Sequence, residues 1–167
     1  MLVSLSSAWA PGQADVYRRV VEALTALPVR AIVTTGGAQL EGDLRSTANV
    51  EVRERVPHAE LLPHVDLVIG HGGHSTTLKT LAHGVPLLIL PINPMSDQSL
   101  TGRTIERHGL GRTLPRTASV AALRAAVTAV LEDGATRDAA SATGERLRAQ
   151  NGAASAVDLI ETRCHLG

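Results

Sequence analysis

The chain has 167 residues, 44% of them apolar, which is enough for one domain with its own core and too apolar for a disordered chain. Its 16 basic and 16 acidic side chains cancel, leaving no electrostatic footprint for nucleic acid or an anionic membrane. Cys164 is the only cysteine, so a disulfide within the chain is excluded; no apolar run approaches the roughly 18 residues of a membrane span, no signal peptide is evident, and the expected location is the cytoplasm.

A first strand is predicted over residues 2–5, followed by a loop through Pro11-Gly12. A chain that begins directly in a core strand is expected of a domain belonging to a longer protein. Val16, Val20, Ala23, Leu24 and Leu27 share one face of a helix over 15–27, which Pro28 stops. A β-branched run over 29–34 closes at Gly36-Gly37. Residues 38–48 are polar and irregular, and 50–52 form a short strand. A turn at Val56-Pro57 leads to one helical turn over 59–62 and a strand over 65–69. The next helix covers 76–83 and ends at Gly84 in the C′ role. A buried strand over 87–90 is closed by Pro91, a helix covers 96–107, and a weak strand covers 110–114. Three Ala-rich helices follow over 120–131, 135–149 and 153–163, separated by Gly134 and Asn151-Gly152.

Most of these strands are continuous apolar runs that alternate with helices, the pattern of parallel strands covered on both faces. The predicted fold is a single α/β domain, a doubly wound, Rossmann-like parallel sheet. Ligands of such sheets bind beyond the carboxyl ends of the strands. Ser6-Ser7, Thr35-Gly36-Gly37, Val56-Pro57, residues 71–77 and residues 91–98 all fall at such ends.

The strongest motif is His71-Gly72-Gly73-His74-Ser75-Thr76-Thr77, set between an apolar strand and a helix. The first N–H groups of a helix lack intrahelical partners and carry its positive dipole end. A glycine turn lets an anion approach them, and a diphosphate suits the size of this segment. A plain turn capped by Ser75 or Thr76 is the alternative. It leaves the paired glycines, the flanking His71 and the absence of an acid in the first turn without a reason. The Walker ending Gly-Lys-Ser/Thr and the Gly-x-Gly-x-x-Gly fingerprint are both missing. His71 and His74 stand at i, i+3 with no carboxylate cluster nearby in sequence, so no metal site is expected. Asp97-Gln98 places a carboxylate beside an amide, which suits vicinal hydroxyls. An ordinary helix start with Ser96 as cap explains the same residues equally well. His58 either lines a base pocket or lies on the surface.

In order, these pieces resemble the nucleotide-sugar-binding C-terminal domain of GT-B glycosyltransferases. They are most similar to the bacterial antibiotic and macrolide branch of the family that includes the UDP-glucuronosyltransferases. The shared pattern runs from Ser6-Ser7 through Leu27-Pro28-Val29, Thr34-Thr35-Gly36 and Val56-Pro57-His58-Ala59-Glu60-Leu61-Leu62-Pro63. It continues through His71-Gly72-Gly73, Thr76-Thr77-Leu78, Gly84-Val85-Pro86, Pro91, Asp97-Gln98 and Gly109-Leu110-Gly111.

The resemblance implies that Val56 and His58 meet the base, that His71, Gly73, Ser75 and Thr76 meet the diphosphate, and that Asp97 and Gln98 hold sugar hydroxyls. Ser7 would lie near the donor and the interdomain cleft. The reaction implied is transfer with inversion from a dTDP- or UDP-sugar to a hydroxyl of a small natural-product-like acceptor, as in antibiotic biosynthesis, with no further cofactor. The general base and acceptor pocket would come from an N-terminal domain that this chain does not contain. The chain alone would then bind donor without transferring it, and its uncovered interdomain face invites a homodimer. Two departures stand out. His74 and Ser75 replace a small residue and a glycine, and Lys79 stands where an acid often binds ribose hydroxyls, which favours a dTDP donor over UDP. Other readings are the donor subunit of a bipartite transferase, a non-catalytic or degenerate nucleotide-sugar module, and a nucleotide-sugar epimerase of similar fold.

Overall fold

Successive residues of a strand point to opposite faces, so a strand buried on both sides needs apolar residues throughout. Leu2 and Val3 meet that need: each is fully buried, and they belong to different hydrophobic clusters. In the computed structural model, which describes residues 1–6, 10–38, 44–150 and 152–164, the strands are β1 (Leu2–Ser4), β2 (Ala31–Thr34), β3 (Val50–Arg53), β4 (Val68–Gly70), β5 (Leu87–Ile89) and β6 (Gly111–Thr113). They form one parallel sheet in the order β3-β2-β1-β4-β5-β6. Val3 pairs with Val33 on one side and with Ile69 on the other. The strand order therefore reverses at β1–β4, where a doubly wound sheet opens a crevice at its carboxyl edge.

Helices cover both faces. On one, α1 (Gln13–Thr25) and α5 (Val120–Glu132) bury Val16, Val20, Leu24, Leu123 and Val127 against Val3, Val33, Ile69 and Leu88. On the other, α3 (His74–Ala82), α4 (Gln98–Arg107) and α6 (Gly134–Ala149) bury Leu81, Ile105 and Ala140 against Leu2, Val68, Leu87 and Ile89. The short α2 (His58–Leu61) runs into a 3-10 turn at Leu62–His64. The last helix, α7 (Gly152–Cys164), buries none of its residues.

The predicted architecture stands, with local corrections. Gly134 does not separate two helices but is the first residue of α6; Asp133 separates them, and its carboxylate accepts the Thr136 N–H at 3.3 Å as an N-cap. β4 begins at Val68 rather than at residue 65, because the 3-10 turn and Asp66 keep Val65 out of the ladder. α4 starts at Gln98 rather than at Ser96, whose N–H and hydroxyl both turn back to the Asn93 carbonyl. β3 alternates buried and exposed positions instead of running apolar, as an edge strand can. The expected glycine C′ after α3 is present, with Gly84 at φ 71°.

Tyr17 ties helix to sheet. Fully buried, its hydroxyl donates to the Thr34 carbonyl at 2.9 Å and accepts the Leu5 N–H at 3.3 Å, joining α1 to the ends of β1 and β2. Burial pushes its pKa up to about 12 from 10. The folded state thus favours the neutral phenol, a stabilisation present below pH 10 and lost as pH rises toward 12. Tyr17→Phe should cost about 1–3 kcal/mol at neutral pH, because the Leu5 N–H loses its partner. It should also remove the Tyr17 component of alkaline destabilisation. Denaturant titration of both proteins at pH 7 and pH 11 checks this; equal midpoints at both would contradict it.

Candidate functional site

A cavity of about 700 Å³ opens at the carboxyl edge, where the strand order reverses. Its walls include Ser4 and Thr34 at strand ends, Val56 and His58 after β3, His71 after β4, and Thr76 and Lys79 one turn apart on α3. A second hollow of about 500 Å³, lined by Met1, Arg30 and Val50, lies at the opposite edge, where the strands start. The carboxyl edge is the better candidate. Parallel strands gather their functional loops there, and α3 aims its positive N-terminus along the same edge.

The two glycines of the turn are there for space. Gly72 takes φ 90°, and a β-carbon on it would sit 2.9 Å from the Gln98 carbonyl oxygen and 3.1 Å from the Ile89 side chain. Gly73 is extended (φ −69°, ψ 136°), and its β-carbon would sit 2.5 Å from Nε2 of His71. The imidazole therefore lies against the glycine backbone. Gly73 is also the N-cap of α3, and no side chain caps the helix. The alternative of a Ser/Thr-capped turn is thereby corrected: Ser75 and Thr76 are in the first turn, and neither closes it. With no acid there, the α3 N-terminus keeps both its dipole charge and its side-chain-free N–H groups. A glycine cap costs little backbone strain but leaves those groups for a ligand or solvent.

Both cavity histidines are biased toward the neutral form. Burial pushes the His71 pKa below its ordinary 6.5, and the Ser4 carbonyl opposes that only weakly, since Nδ1 of His71 is buried without a well-formed hydrogen bond. Burial also lowers the pKa of His58, and the Lys79 ammonium lowers it further. Nε2 of His58 lies 3.5 Å from the Thr34 hydroxyl.

The structure thus brings Val56, His58, His71 and Thr76 around one cavity. Gly73 and Ser75 belong to the adjoining helix start, with Ser75 exposed. Asp97 and Gln98 do not line that cavity; they border the glycine turn from the start of α4. Oδ2 of Asp97 is 3.0 Å from Nε2 of His74, on the surface. Gln98 is only 8% exposed, and its Oε1 accepts the N–H groups of Ile92 at 2.8 Å and Asn93 at 3.0 Å. Ser7 lies outside the described residues. Among the described residues no group of three or more His, Cys, Asp or Glu is placed to hold a metal. Thr34, Glu54, Arg55 and Lys79 line the cavity without having been in the predicted site set. Thr34 and Lys79 carried a usable signal, one as the last residue of its strand and the other three residues after Thr76.

Residues 18–161 match the family described as erythromycin biosynthesis protein CIII-like, C-terminal domain. Demethyllactenocin mycarosyltransferase of Streptomyces fradiae is 36% identical over 148 residues, which are 87% of this chain and 32% of that protein. The glycotransferase of kitacinnamycin superposes with a TM-score of 0.84 at 32% identity, covering 96% of this chain and 42% of that one. Spinosyn rhamnosyltransferase SpnG complexed with thymidine diphosphate superposes with a TM-score of 0.77 at 27% identity, covering 96% and 45%. The chain therefore spans about a third of the length of that curated relative and less than half of those solved chains.

The contact between Gly73 and His71 can be read without any ligand. By NMR, His71 should titrate below 6.5, and Gly73→Ala, by pushing the ring outward, should move its midpoint up toward that value. Because the folded pKa values of His58 and His71 are depressed, their contribution to stability is present above pH 6.5 and lost as pH falls through the folded values. An unchanged His71 titration in Gly73→Ala would contradict the packing argument.

Proposed function

The chain belongs to the erythromycin biosynthesis protein CIII-like C-terminal domain family, and from that membership we propose that it binds the nucleoside diphosphate-sugar donor of an inverting glycosyltransferase. The observation that carries this reading is the His71-Gly72-Gly73 turn at an uncapped helix N-terminus, beside a cavity large enough for a nucleotide at the reversal of the sheet. The diphosphate meets the first N–H groups of α3, the Thr76 hydroxyl and a neutral His71 acting as a hydrogen-bonding group. The base lies by Val56 and His58, and the sugar extends toward Asp97 and Gln98. Ser7 is assigned to the donor edge by resemblance alone.

In the proposed reaction an acceptor hydroxyl attacks the anomeric carbon as the bond to the diphosphate oxygen breaks. The bonding pair passes to the diphosphate, and the acceptor proton goes to a base outside these residues. Charge grows on the leaving group, where the helix N-terminus already points, so the field is oriented before the charge forms. Acceptor pocket and base belong to a further domain in this reading, and residues 1–167 bind donor without transferring it.

Two observations favour a dTDP-deoxysugar. Lys79 offers the cavity hydrogen-bond donors and no acceptor, so it cannot receive ribose hydroxyls as a carboxylate would. Oε1 of Gln98 already accepts two internal donors and Oδ2 of Asp97 lies 3.0 Å from Nε2 of His74, so fewer acceptors remain for sugar hydroxyls. The complex of SpnG with thymidine diphosphate is in keeping with that base.

Calorimetry on residues 1–167 should show thymidine diphosphate binding several-fold more tightly than UDP, with Lys79→Glu narrowing the gap. Thr76→Ala should weaken the diphosphate by about tenfold, the effect of one hydrogen bond to a charged group. Tighter UDP binding would overturn the base assignment, absence of binding to either would overturn the donor reading, and turnover of a dTDP-sugar with a simple alcohol would overturn the division of labour.

A further inference from the structure

The geometry points to Gln98 as a positioning residue, one that locks the loop between β5 and α4 onto the glycine turn through its side-chain oxygen. The inference rests on the donor reading for its consequence, while its structural basis is independent of it. Three contacts carry it. Oε1 of Gln98 accepts two consecutive backbone donors, Ile92 N–H at 2.8 Å and Asn93 N–H at 3.0 Å. Both bonds have ordinary lengths, and a single acceptor oxygen with two lone pairs satisfies both. The side chain is almost fully buried, so losing it would strand the Ile92 N–H away from water. The backbone of Gln98, in turn, is the surface on which Gly72 rests: a β-carbon at Gly72 would lie 2.9 Å from its carbonyl oxygen and 3.3 Å from its Cα.

Gln98 thus faces two ways. Its side chain closes the loop that carries Asp97, and its main chain supports the turn that opens α3. Asp97 adds a surface link, 3.0 Å from His74 in the first turn of α3. The starts of α3 and α4 are joined, and the two ends of the proposed donor are presented by one rigid unit. A glutamine that held a hydroxyl through its carbonyl oxygen would need that oxygen open to the ligand; here it is spent on the loop, and only the Nε2 amide donors are left to face a ligand.

Amide hydrogen exchange and calorimetry on residues 1–167 test the assignment with Gln98→Ala and Gln98→Glu, thymidine diphosphate and dTDP-glucose being the probes. Gln98→Glu keeps an acceptor pair, while Gln98→Ala removes it. Gln98→Ala should lose about tenfold or more of the exchange protection at Ile92 and Asn93, and weaken both probes by a similar factor of about three or more. Gln98→Glu should keep that protection and bind thymidine diphosphate within about threefold of the parent. Protection unchanged in Gln98→Ala, or weakening confined to the sugar-bearing probe, would overturn the positioning role in favour of direct sugar contact. If Gln98→Ala does not fold, Gln98→Glu decides: retained protection at both amides supports the lock, and lost protection overturns it. Absence of binding by the parent would sink the donor reading and leave the exchange result to judge the lock.

Discussion

Everything at the carboxyl edge depends on β1. It pairs with β2 on one side and, across the reversal, with β4 on the other. Because all neighbours are parallel, every strand delivers its following loop to the same edge, and only at β1–β4 do the connections diverge to opposite faces. The cavity with Ser4, Thr34 and His71 on its walls is the outcome. Apolar pressure from both helix layers fixes the register: Leu2 and Val3 are buried in opposite clusters, and a one-residue slip would exchange them.

On that scaffold the site is shaped by what is missing as much as by what is present. Two absent β-carbons admit the His71 ring and the start of α4, and an absent cap leaves α3 open. α3 has no acid in its own first turn, and the Asp97 carboxylate from the start of α4 lies 3.0 Å from Nε2 of His74 there. Two histidines biased toward the neutral form line the cavity with the Lys79 ammonium and the Arg55 guanidinium, the latter 3.7 Å from the Glu54 carboxylate, so the fixed positive charge there comes from the helix end, Lys79 and Arg55 rather than from imidazolium. In the donor reading, phosphate recognition of this kind would persist across neutral pH, since none of its parts needs to titrate there.

The fold was legible in the sequence because its signals are local. Apolar runs at 2–5 and 87–90, the helical face of Val16, Val20 and Leu24, and glycines after strands each report on a few neighbouring residues. Errors fell where a short-range rule met a specific partner. Gly134 looked like a separator until Asp133 supplied the cap that lets a helix start there. Val65 looked like strand until the 3-10 turn before it shifted the ladder. The placement of Val56, His58, His71 and Thr76 around one cavity followed from strand-end position alone. What could not be read was the commitment of individual atoms: the pairing of Asp97 with His74 joins two helices, and the grip of Gln98 on Ile92 and Asn93 depends on the path of the eight-residue loop between β5 and α4.

Those commitments bear on how a donor domain can work before its ligand arrives. A diphosphate site built from loops must be rigid, because reorganising dipoles at the moment of reaction would consume the stabilisation they offer. In the donor reading, the domain meets this by spending polar atoms on itself. Tyr17 holds the ends of β1 and β2, Gln98 holds the β5–α4 loop, and Gly72 seats that loop against the turn. The Gln98 bonds also occupy an acceptor oxygen that a sugar hydroxyl could have used. In the donor reading, rigidity at the phosphate end and fewer free acceptors at the sugar end would be two consequences of one arrangement, one that suits a donor with few hydroxyls to satisfy.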